Sequence, residues 1–156
     1  MTGDVDRALK NLEETCRRVG AKVTHQRREV LRAVVETDVH PDAQTVLERA
    51  REGTPTISFD TVYRTLHFLE EHGLIRRVHT PAERARFDGD PTPHHHFICT
   101  TCGRIFDFES DEVDRIDLPR TVEELGTVTR RELRLCGVCR KCRTQRGAGE
   151  KEETDD

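Results

Sequence analysis

One short stretch in the middle of the chain brings together two kinds of metal ligand. It runs from His94 to Asp107, begins with three consecutive histidines and contains the Cys-x-x-Cys pair Cys99 and Cys102. Thiolates are soft ligands that select zinc, whereas imidazole and carboxylate groups suit borderline and harder divalent ions. Two such different ligand sets side by side predict two metal sites of different character.

A second Cys-x-x-Cys pair, Cys139 and Cys142, lies near the end of the chain. Four thiolates on two such knuckles are the ligand set of a tetrahedral structural zinc site. The spacing leaves one alternative open, because Cys136-x-x-Cys139 is also a possible knuckle. Cys16 falls on the apolar stripe of a predicted helix, and we expect it to be a small buried thiol.

The histidines and nearby carboxylates form the second candidate set. If His94 starts a strand, His94 and His96 point to one face and His95 to the other. Asp107 ends the returning strand and could lie beside them. Two histidines with carboxylates suit Fe²⁺, Mn²⁺ or Zn²⁺. Two further candidates lie upstream of this stretch, Asp88 and His40.

The composition limits the kinds of protein that the chain can form. Its 156 residues are 33% hydrophobic and 36% charged, which favours two small domains over one large core. No apolar run approaches the roughly 18 residues of a membrane span, and the first residues do not resemble a signal peptide. We expect a soluble cytoplasmic protein without a membrane partner, in which six cysteines indicate metal ligands rather than disulfides.

Four amphipathic helices are predicted in the first part of the chain. The first ends near Gly20, and the second begins after the potential cap Thr24. The third opens at Asp42 or Pro41. The fourth opens at Ser58. The inner face of the fourth helix is predicted to carry Phe59, Val62, Leu66 and Leu69.

Two short strands follow these helices, Leu74 to Val78 and Arg84 to Asp88, with a turn at Thr80-Pro81-Ala82-Glu83 between them. Short helices followed by a two-stranded ribbon form a winged helix-turn-helix. We therefore predict a DNA-binding domain over residues 1–88, whose fourth helix is the recognition helix that enters the major groove.

Candidate DNA contacts lie on the recognition helix, on the second helix and on the wing. They combine hydroxyls, a ring that can meet a thymine methyl group, and guanidinium groups that can contact guanine or phosphate. The net charge of −4 is unfavourable for nucleic acid, but residues 145–156 hold five acids and two bases, and residues 17–32 are rich in arginine. The candidates are Arg27, Ser58, Thr61, Tyr63, Arg64, Arg76 and Arg77.

A hinge is predicted at residues 89–93, where two prolines and a glycine break the periodicity. After it come a strand that returns between His94 and Phe108, a helix over Asp111 to Leu125 interrupted at Pro119, and a strand over Thr127 to Leu135. This α/β domain, residues 89–144, is small enough to need a metal staple, a partner chain or both. The polar tail, residues 145–156, is predicted to be disordered.

These residues resemble the ferric uptake regulator (Fur) family of metal-dependent bacterial repressors. The resemblance covers the chain from Val5 to Cys142, and together its motifs are highly specific. The motifs are Thr24-His25-Gln26-Arg27, Val39-His40-Pro41, Thr61-Val62-Tyr63-Arg64, Arg86-Phe87-Asp88, His94-His95-His96-Phe97-Ile98-Cys99 and Cys102-Gly103.

The resemblance implies an α+β chain, with a winged-helix DNA-binding domain and an α/β dimerisation domain stapled by zinc. The partners that it implies are a second copy of the chain and a palindromic operator in double-stranded DNA. The structural zinc ligands that it implies are Cys99, Cys102, Cys139 and Cys142, which leaves Cys136 free. The ligands that it implies for regulatory Fe²⁺ or Mn²⁺ are His40, Asp88, His94, His96 and Asp107.

Asp88 makes the chain most similar to the peroxide-responsive repressor (PerR) branch, because iron-sensing relatives tend to carry Glu there. In that branch the resemblance implies that peroxide oxidises a ligand histidine, His40 or His94, to 2-oxo-histidine, so that metal and operator are released. A third metal site found in some iron sensors is not expected, since this chain has Thr129-Arg130-Arg131 before the last strand.

Two alternatives compete with a peroxide-responsive repressor. An iron- or zinc-responsive repressor of metal uptake genes would release DNA on chelation and would show no irreversible change with peroxide. A zinc-stapled metallohydrolase would need a general base near a metal-bound water. No acid is singled out as that base, and the winged helix would be unexplained, so we expect a regulator and not an enzyme.

Overall fold

The computed structural model describes residues 2–37, 39–81 and 84–149. The chain divides into two compact units, Met1–Pro91 and Thr92–Asp156. The division falls inside the segment that was predicted to be a hinge. None of the helices in these described ranges has the length and apolar character that a membrane crossing requires.

The first unit contains four helices, and the starts of the last three are fixed by side-chain caps. Thr24, Asp42 and Ser58 each accept a hydrogen bond from the backbone N–H three residues later, at 3.2, 2.9 and 3.2 Å. The predicted caps are therefore confirmed, and the third helix opens at Asp42 rather than at Pro41. The helices are α1 (Thr2–Val19), α2 (His25–Val35), α3 (Ala43–Gly53) and α4 (Phe59–Glu71).

One apolar core holds these helices together. Helices α1, α2, α3 and α4 each contribute side chains to it, and Cys16 of α1 is fully buried there, as predicted. Phe59 is an exception to the predicted inner face of α4, because 47% of its surface is exposed. Ile57, immediately before the cap of α4, lies in the core instead.

The wing consists of β1 (Arg76–Val78) and β2 (Arg86–Asp88), which pair antiparallel with Arg76 opposite Asp88. Both strands are shorter than predicted, and residues 82 and 83 of the predicted turn lie outside the described residues. The Phe87 N–H donates to the Pro41 carbonyl at 2.9 Å. This bond ties the wing to the loop before α3.

The second unit is built on a three-stranded sheet in the order β4-β3-β5. Strands β3 and β4 are antiparallel, with His96 opposite Asp107, and β3 and β5 are parallel. The elements of this unit are β3 (His95–Cys99), β4 (Ile105–Phe108), α5 (Asp111–Asp114), α6 (Arg120–Leu125), β5 (Arg134–Gly137) and α7 (Arg140–Gly149).

Two predictions for this unit need correction. The last strand covers Arg134–Gly137 and not Thr127 to Leu135. The segment before it is held by a side chain instead of a strand ladder, because Arg131 donates to the carbonyls of Asp114 and Ile116 at 2.8 and 2.6 Å. Residues 145–149, predicted to be disordered, continue α7, which begins directly after Cys139 of the second cysteine knuckle. Residues 150–156 of that predicted tail lie outside the described residues.

Candidate functional site

The first candidate site is a cluster of four cysteine sulfurs. Cys99 ends β3 and Cys102 lies in the turn before β4, while the second knuckle lies where α7 begins. The four Sγ atoms, those of Cys99, Cys102, Cys139 and Cys142, all lie within 4.8 Å of one another. The Cys102 and Cys139 sulfurs are 4.0 Å apart. A tetrahedral zinc site with Zn–S bonds of about 2.3 Å needs sulfurs about 3.8 Å apart, so the cluster fits zinc.

Cys136 does not belong to this cluster. It is an exposed residue of β5, opposite Ile98 of β3. The structure therefore groups Cys139 and Cys142, and not Cys136, with the first knuckle.

The electrostatics of the four thiols also favour a bound cation. The Cys139 N–H donates to Cys99 Sγ at 3.3 Å, and this bond is the main cause that lowers the pKa of the Cys99 thiol to about 6. The neighbouring Cys139 thiol and burial raise the pKa of Cys142 to about 12. Thiols packed this closely cannot all ionise together without a positive charge between them, which a zinc ion supplies.

The second candidate site in this unit is a convergence of two histidines and a carboxylate. The Nε2 atoms of His94 and His96 are 3.0 Å apart, and both rings are buried. Asp107 Oδ1 lies 3.8 Å from the first Nε2 and 3.5 Å from the second. Both histidines therefore face the same point, as the alternation of the sequence predicted.

The outer nitrogen of each ring identifies the tautomer. His94 Nδ1 lies 2.9 Å from the Thr92 carbonyl, and His96 Nδ1 lies 3.2 Å from a carboxylate oxygen of Glu132. Both partners accept hydrogen bonds, so each Nδ1 carries the hydrogen and each Nε2 presents a lone pair. Two lone pairs at this separation repel each other unless a cation lies between them. The chemistry of the donor set therefore fits a divalent metal.

His95 belongs to neither donor set, although it is only 1% exposed. Its Nδ1 accepts a hydrogen bond from the Leu133 N–H at 3.2 Å. The hydrogen is then on Nε2, which lies 3.4 Å from Asp114 Oδ1. The Leu133 N–H therefore holds His95 as the Nε2–H tautomer, whereas His94 and His96 are Nδ1–H tautomers.

The first unit contributes a further buried pair, His40 and Asp88. His40 Nε2 lies 3.9 Å from Asp88 Oδ1, which also accepts from the Asp90 N–H at 2.8 Å. His40 has a positive φ of 24°, an unusual backbone conformation for a residue other than glycine. The bond from Phe87 to Pro41 joins the segments that carry the two side chains. This backbone bond thereby brings His40 and Asp88 together, although they are far apart in the sequence.

On the face of α4 that was predicted to read DNA, Tyr63 and Arg64 are exposed. Tyr63 is 49% exposed, and its ring stacks on Phe59 with centroids 6.4 Å apart. Arg64 is also exposed and pairs with Asp60 one turn earlier at 2.8 Å. Ser58 Oγ lies 2.9 Å from the Thr61 hydroxyl, so these two candidates also serve the start of the helix.

The three arginines predicted outside α4 all have partners within the first unit. The Arg27 guanidinium lies 4.0 Å from the centre of the Phe68 ring and donates to the Lys22 carbonyl. Arg77 pairs with Glu70 at 2.8 Å. Arg76 donates to the Pro91 carbonyl. These contacts hold each of the three side chains in place within the first unit.

Two residues at these sites were not predicted. Glu132 contacts His96 from the segment before β5, and no motif or spacing in the sequence indicates this contact. Phe59 was assigned to the core because it continues an apolar period. Phe59 is the first residue of α4, and this terminal position was the feature of the sequence that indicated an exposed side chain.

Comparisons with known proteins identify relatives of this chain. The family model described as "Ferric uptake regulator family" matches residues 18–134. The chain is 28% identical to the peroxide-responsive repressor PerR of Staphylococcus epidermidis over 142 residues, which cover 90% of this chain and 94% of that protein.

Solved structures show the same fold. The ferric uptake regulator Fur of Helicobacter pylori superposes with a TM-score of 0.73 at 24% identity, over 89% of this chain and 93% of that one. A zinc uptake regulator complexed with zinc and DNA superposes with a TM-score of 0.63 at 25% identity. That match covers 92% of this chain and 97% of the other.

Proposed function

Because the chain belongs to the Ferric uptake regulator family, we propose that it is a metal-dependent repressor that senses peroxide. Members of this family are transcriptional regulators and not enzymes, so the metallohydrolase alternative is excluded. Metal-responsive regulation is common to the family. Peroxide sensing is the finer proposal, and the similarity to the peroxide-responsive repressor supports it.

The observation that carries the proposal is the convergence of His94 and His96 Nε2 atoms, 3.0 Å apart, beside Asp107. This set offers three ligand atoms, and the pair in the first unit offers two more. A borderline ion such as Fe²⁺ or Mn²⁺ takes five or six mixed nitrogen and oxygen ligands. We propose that one ion takes ligands from both sets, His40, Asp88, His94, His96 and Asp107.

An ion with ligands on two units stabilises only those arrangements in which every ligand reaches it, and this is how binding would select one conformation. We propose that this conformation is the one that binds DNA. In a homodimer, two copies of α4 would enter successive major grooves of a palindromic operator. The exposed Tyr63 and Arg64 would contact base edges there.

Bound iron would supply the redox chemistry for sensing peroxide. One peroxide oxygen would enter the ring carbon between the two nitrogens of His40 or His94, and the other would leave as water. An oxidised ring is a poorer ligand, so the ion would be lost and the preference for the DNA-binding conformation would disappear with it.

Mass spectrometry of the full-length, zinc-containing protein tests this proposal. Iron-loaded protein exposed to peroxide should gain one oxygen atom on His40 or His94, located by fragmentation, and should lose its affinity for operator DNA. His95 is an internal control, because it is held in the opposite tautomer, and manganese-loaded protein is the matched control for the metal. Absence of added oxygen on both ligand histidines would refute peroxide sensing.

A zinc- or iron-responsive repressor is the second candidate, and the similarity to a zinc uptake regulator supports it. This candidate predicts that a chelator of the regulatory ion releases DNA, and that restoring the ion restores binding fully after peroxide treatment. DNA binding measured with Fe²⁺, Mn²⁺ and Zn²⁺ separately, before and after peroxide, distinguishes the two candidates.

A further inference from the structure

Glu132 lies behind the metal-facing side of His96. Its Oε1 accepts from His96 Nδ1 at 3.2 Å, and its Oε2 accepts from Arg130 at 3.0 Å. The carboxylate is partly exposed, whereas the imidazole is 1% exposed. It therefore contacts the nitrogen that faces away from His94 and Asp107.

We propose that Glu132 is a positioning residue that makes His96 a metal ligand. This inference rests on the proposed function of the His94, His96 and Asp107 set. A carboxylate on Nδ1 keeps the hydrogen there, so that the lone pair is on Nε2, and it also fixes the plane of the ring. Arg130 holds the other oxygen of Glu132 and thereby keeps the carboxylate on His96.

The neighbouring residue strengthens this assignment. The Leu133 N–H donates to His95 Nδ1 at 3.2 Å, and the Leu133 carbonyl accepts from the His96 N–H at 3.0 Å. Two consecutive residues thus hold two consecutive histidines in opposite tautomers. The segment before β5 selects His96 as the ligand and gives His95 a hydrogen on the nitrogen that faces Asp114.

The contact between Glu132 and His96 has a measurable consequence for metal binding. Outer carboxylate partners of ligand histidines typically contribute ten- to a hundredfold in metal affinity. Glu132→Ala should therefore weaken Co²⁺ binding to the zinc-containing, full-length protein by about ten- to a hundredfold. Glu132→Gln keeps an oxygen that can accept the hydrogen bond but lacks the charge, so it should fall between Glu132→Ala and wild type.

Glu124→Gln, which changes an exposed glutamate of α6, is the matched control and should bind like wild type. Zinc content and circular dichroism should be unchanged in each variant. The shape of the Co²⁺ absorption spectrum at saturation should also be unchanged, because the donor atoms stay the same. A changed spectrum would mean that Glu132 is itself a ligand, which would overturn the positioning role.

Nuclear magnetic resonance of ¹⁵N-histidine-labelled protein tests the tautomer directly. With zinc bound and no second metal, His96 should carry its hydrogen on Nδ1 in wild type and become a mixture of tautomers in Glu132→Ala. His95 should keep its hydrogen on Nε2 in both proteins. An unchanged His96 tautomer, or wild-type Co²⁺ affinity in Glu132→Ala, overturns the inference.

A variant of the ligand itself separates this inference from the proposed function. His96→Ala should abolish specific Co²⁺ binding. If His96→Ala binds like wild type, or if wild type binds no second ion, the proposed site is wrong and the role of Glu132 is wrong with it. If His96→Ala loses the ion while Glu132→Ala retains full affinity, only the role of Glu132 is wrong.

Discussion

Each of the three consecutive histidines has its own hydrogen-bond partner on its Nδ1 atom. The Thr92 carbonyl and the Glu132 carboxylate accept from His94 and His96, whereas the Leu133 N–H donates to His95. The chemical role of each ring follows from that partner, because the partner decides which nitrogen carries the hydrogen and which presents a lone pair. Residue type alone therefore does not distinguish these histidines.

The side-by-side placement of the candidate ligands could be predicted from the sequence, but their supporting contacts could not. Strand alternation is sufficient to place His94 and His96 on one side. Glu132 lies 36 residues after His96 and reaches it only through the pairing of β3 with β5. A contact made by tertiary pairing leaves no local pattern, and this is why it was missed.

A pair of cysteine variants tests the knuckle assignment at the residue scale. Cys139→Ser should lose the structural zinc, because it removes one of four clustered sulfurs. Cys136→Ser, three residues earlier on the exposed side of β5, should retain it. Zinc content per chain after gel filtration measures both, and the opposite result would assign the site to Cys136 and Cys139.

At the scale of elements, local chemistry determined the helices more strongly than the strands. Caps such as Thr24 and Ser58 are local signals, and the predicted starts of these helices were correct. The last strand was misplaced, because the segment before Arg134 is held by the Arg131 side chain, which donates to the carbonyls of Asp114 and Ile116, and not by a strand ladder. Short strands depend on their partners, so a sequence period alone places them poorly.

The junction between β2 and α2 gives a prediction at this scale. A Cβ atom at Gly89 would lie 3.0 Å from Val35 Cα, and this backbone cannot move cheaply. Gly89→Ala should therefore destabilise the first unit by about 1–3 kcal/mol, as overpacking does. Urea denaturation followed by circular dichroism measures the loss.

Gly53→Ala is the matched control for this variant. A Cβ atom there would meet only the end of the Glu29 side chain, which can turn away. Its free energy of unfolding should be close to that of wild type, since alanine also favours the helix. Equal effects of the two variants would contradict the close backbone contact at Gly89.

At the scale of the whole molecule, the sheet of the second unit shows two chemically different faces. Phe106 of β4 and Leu135 of β5 lie opposite Phe97 of β3, so these side chains form an apolar stripe across three strands. Phe106 and Leu135 remain 37% and 43% exposed. His96 and Asp107 lie on the other face. Because a small domain rarely leaves such an apolar stripe in contact with water, we propose that a second copy of the chain covers it.

Leu135→Asp tests this proposed dimer surface. A buried carboxylate at a subunit contact is costly, so the dissociation constant of the dimer should rise on the order of tenfold or more. Val19→Asp, which changes a similarly exposed apolar residue of α1, should leave the dimer intact. Sedimentation velocity over a range of concentrations distinguishes the outcomes, and two unchanged dimers would exclude this stripe from the interface.

The position of the cysteines along the chain has a consequence for biosynthesis. Cys99 and Cys102 leave the ribosome together with His94 and His96, well before Cys139 and Cys142 have been made. The zinc site is therefore completed only after translation reaches α7. The segment that contains Glu132 is synthesised in the same interval, so the complete cysteine cluster and the contact on His96 Nδ1 both require residues that are made after β3 and β4.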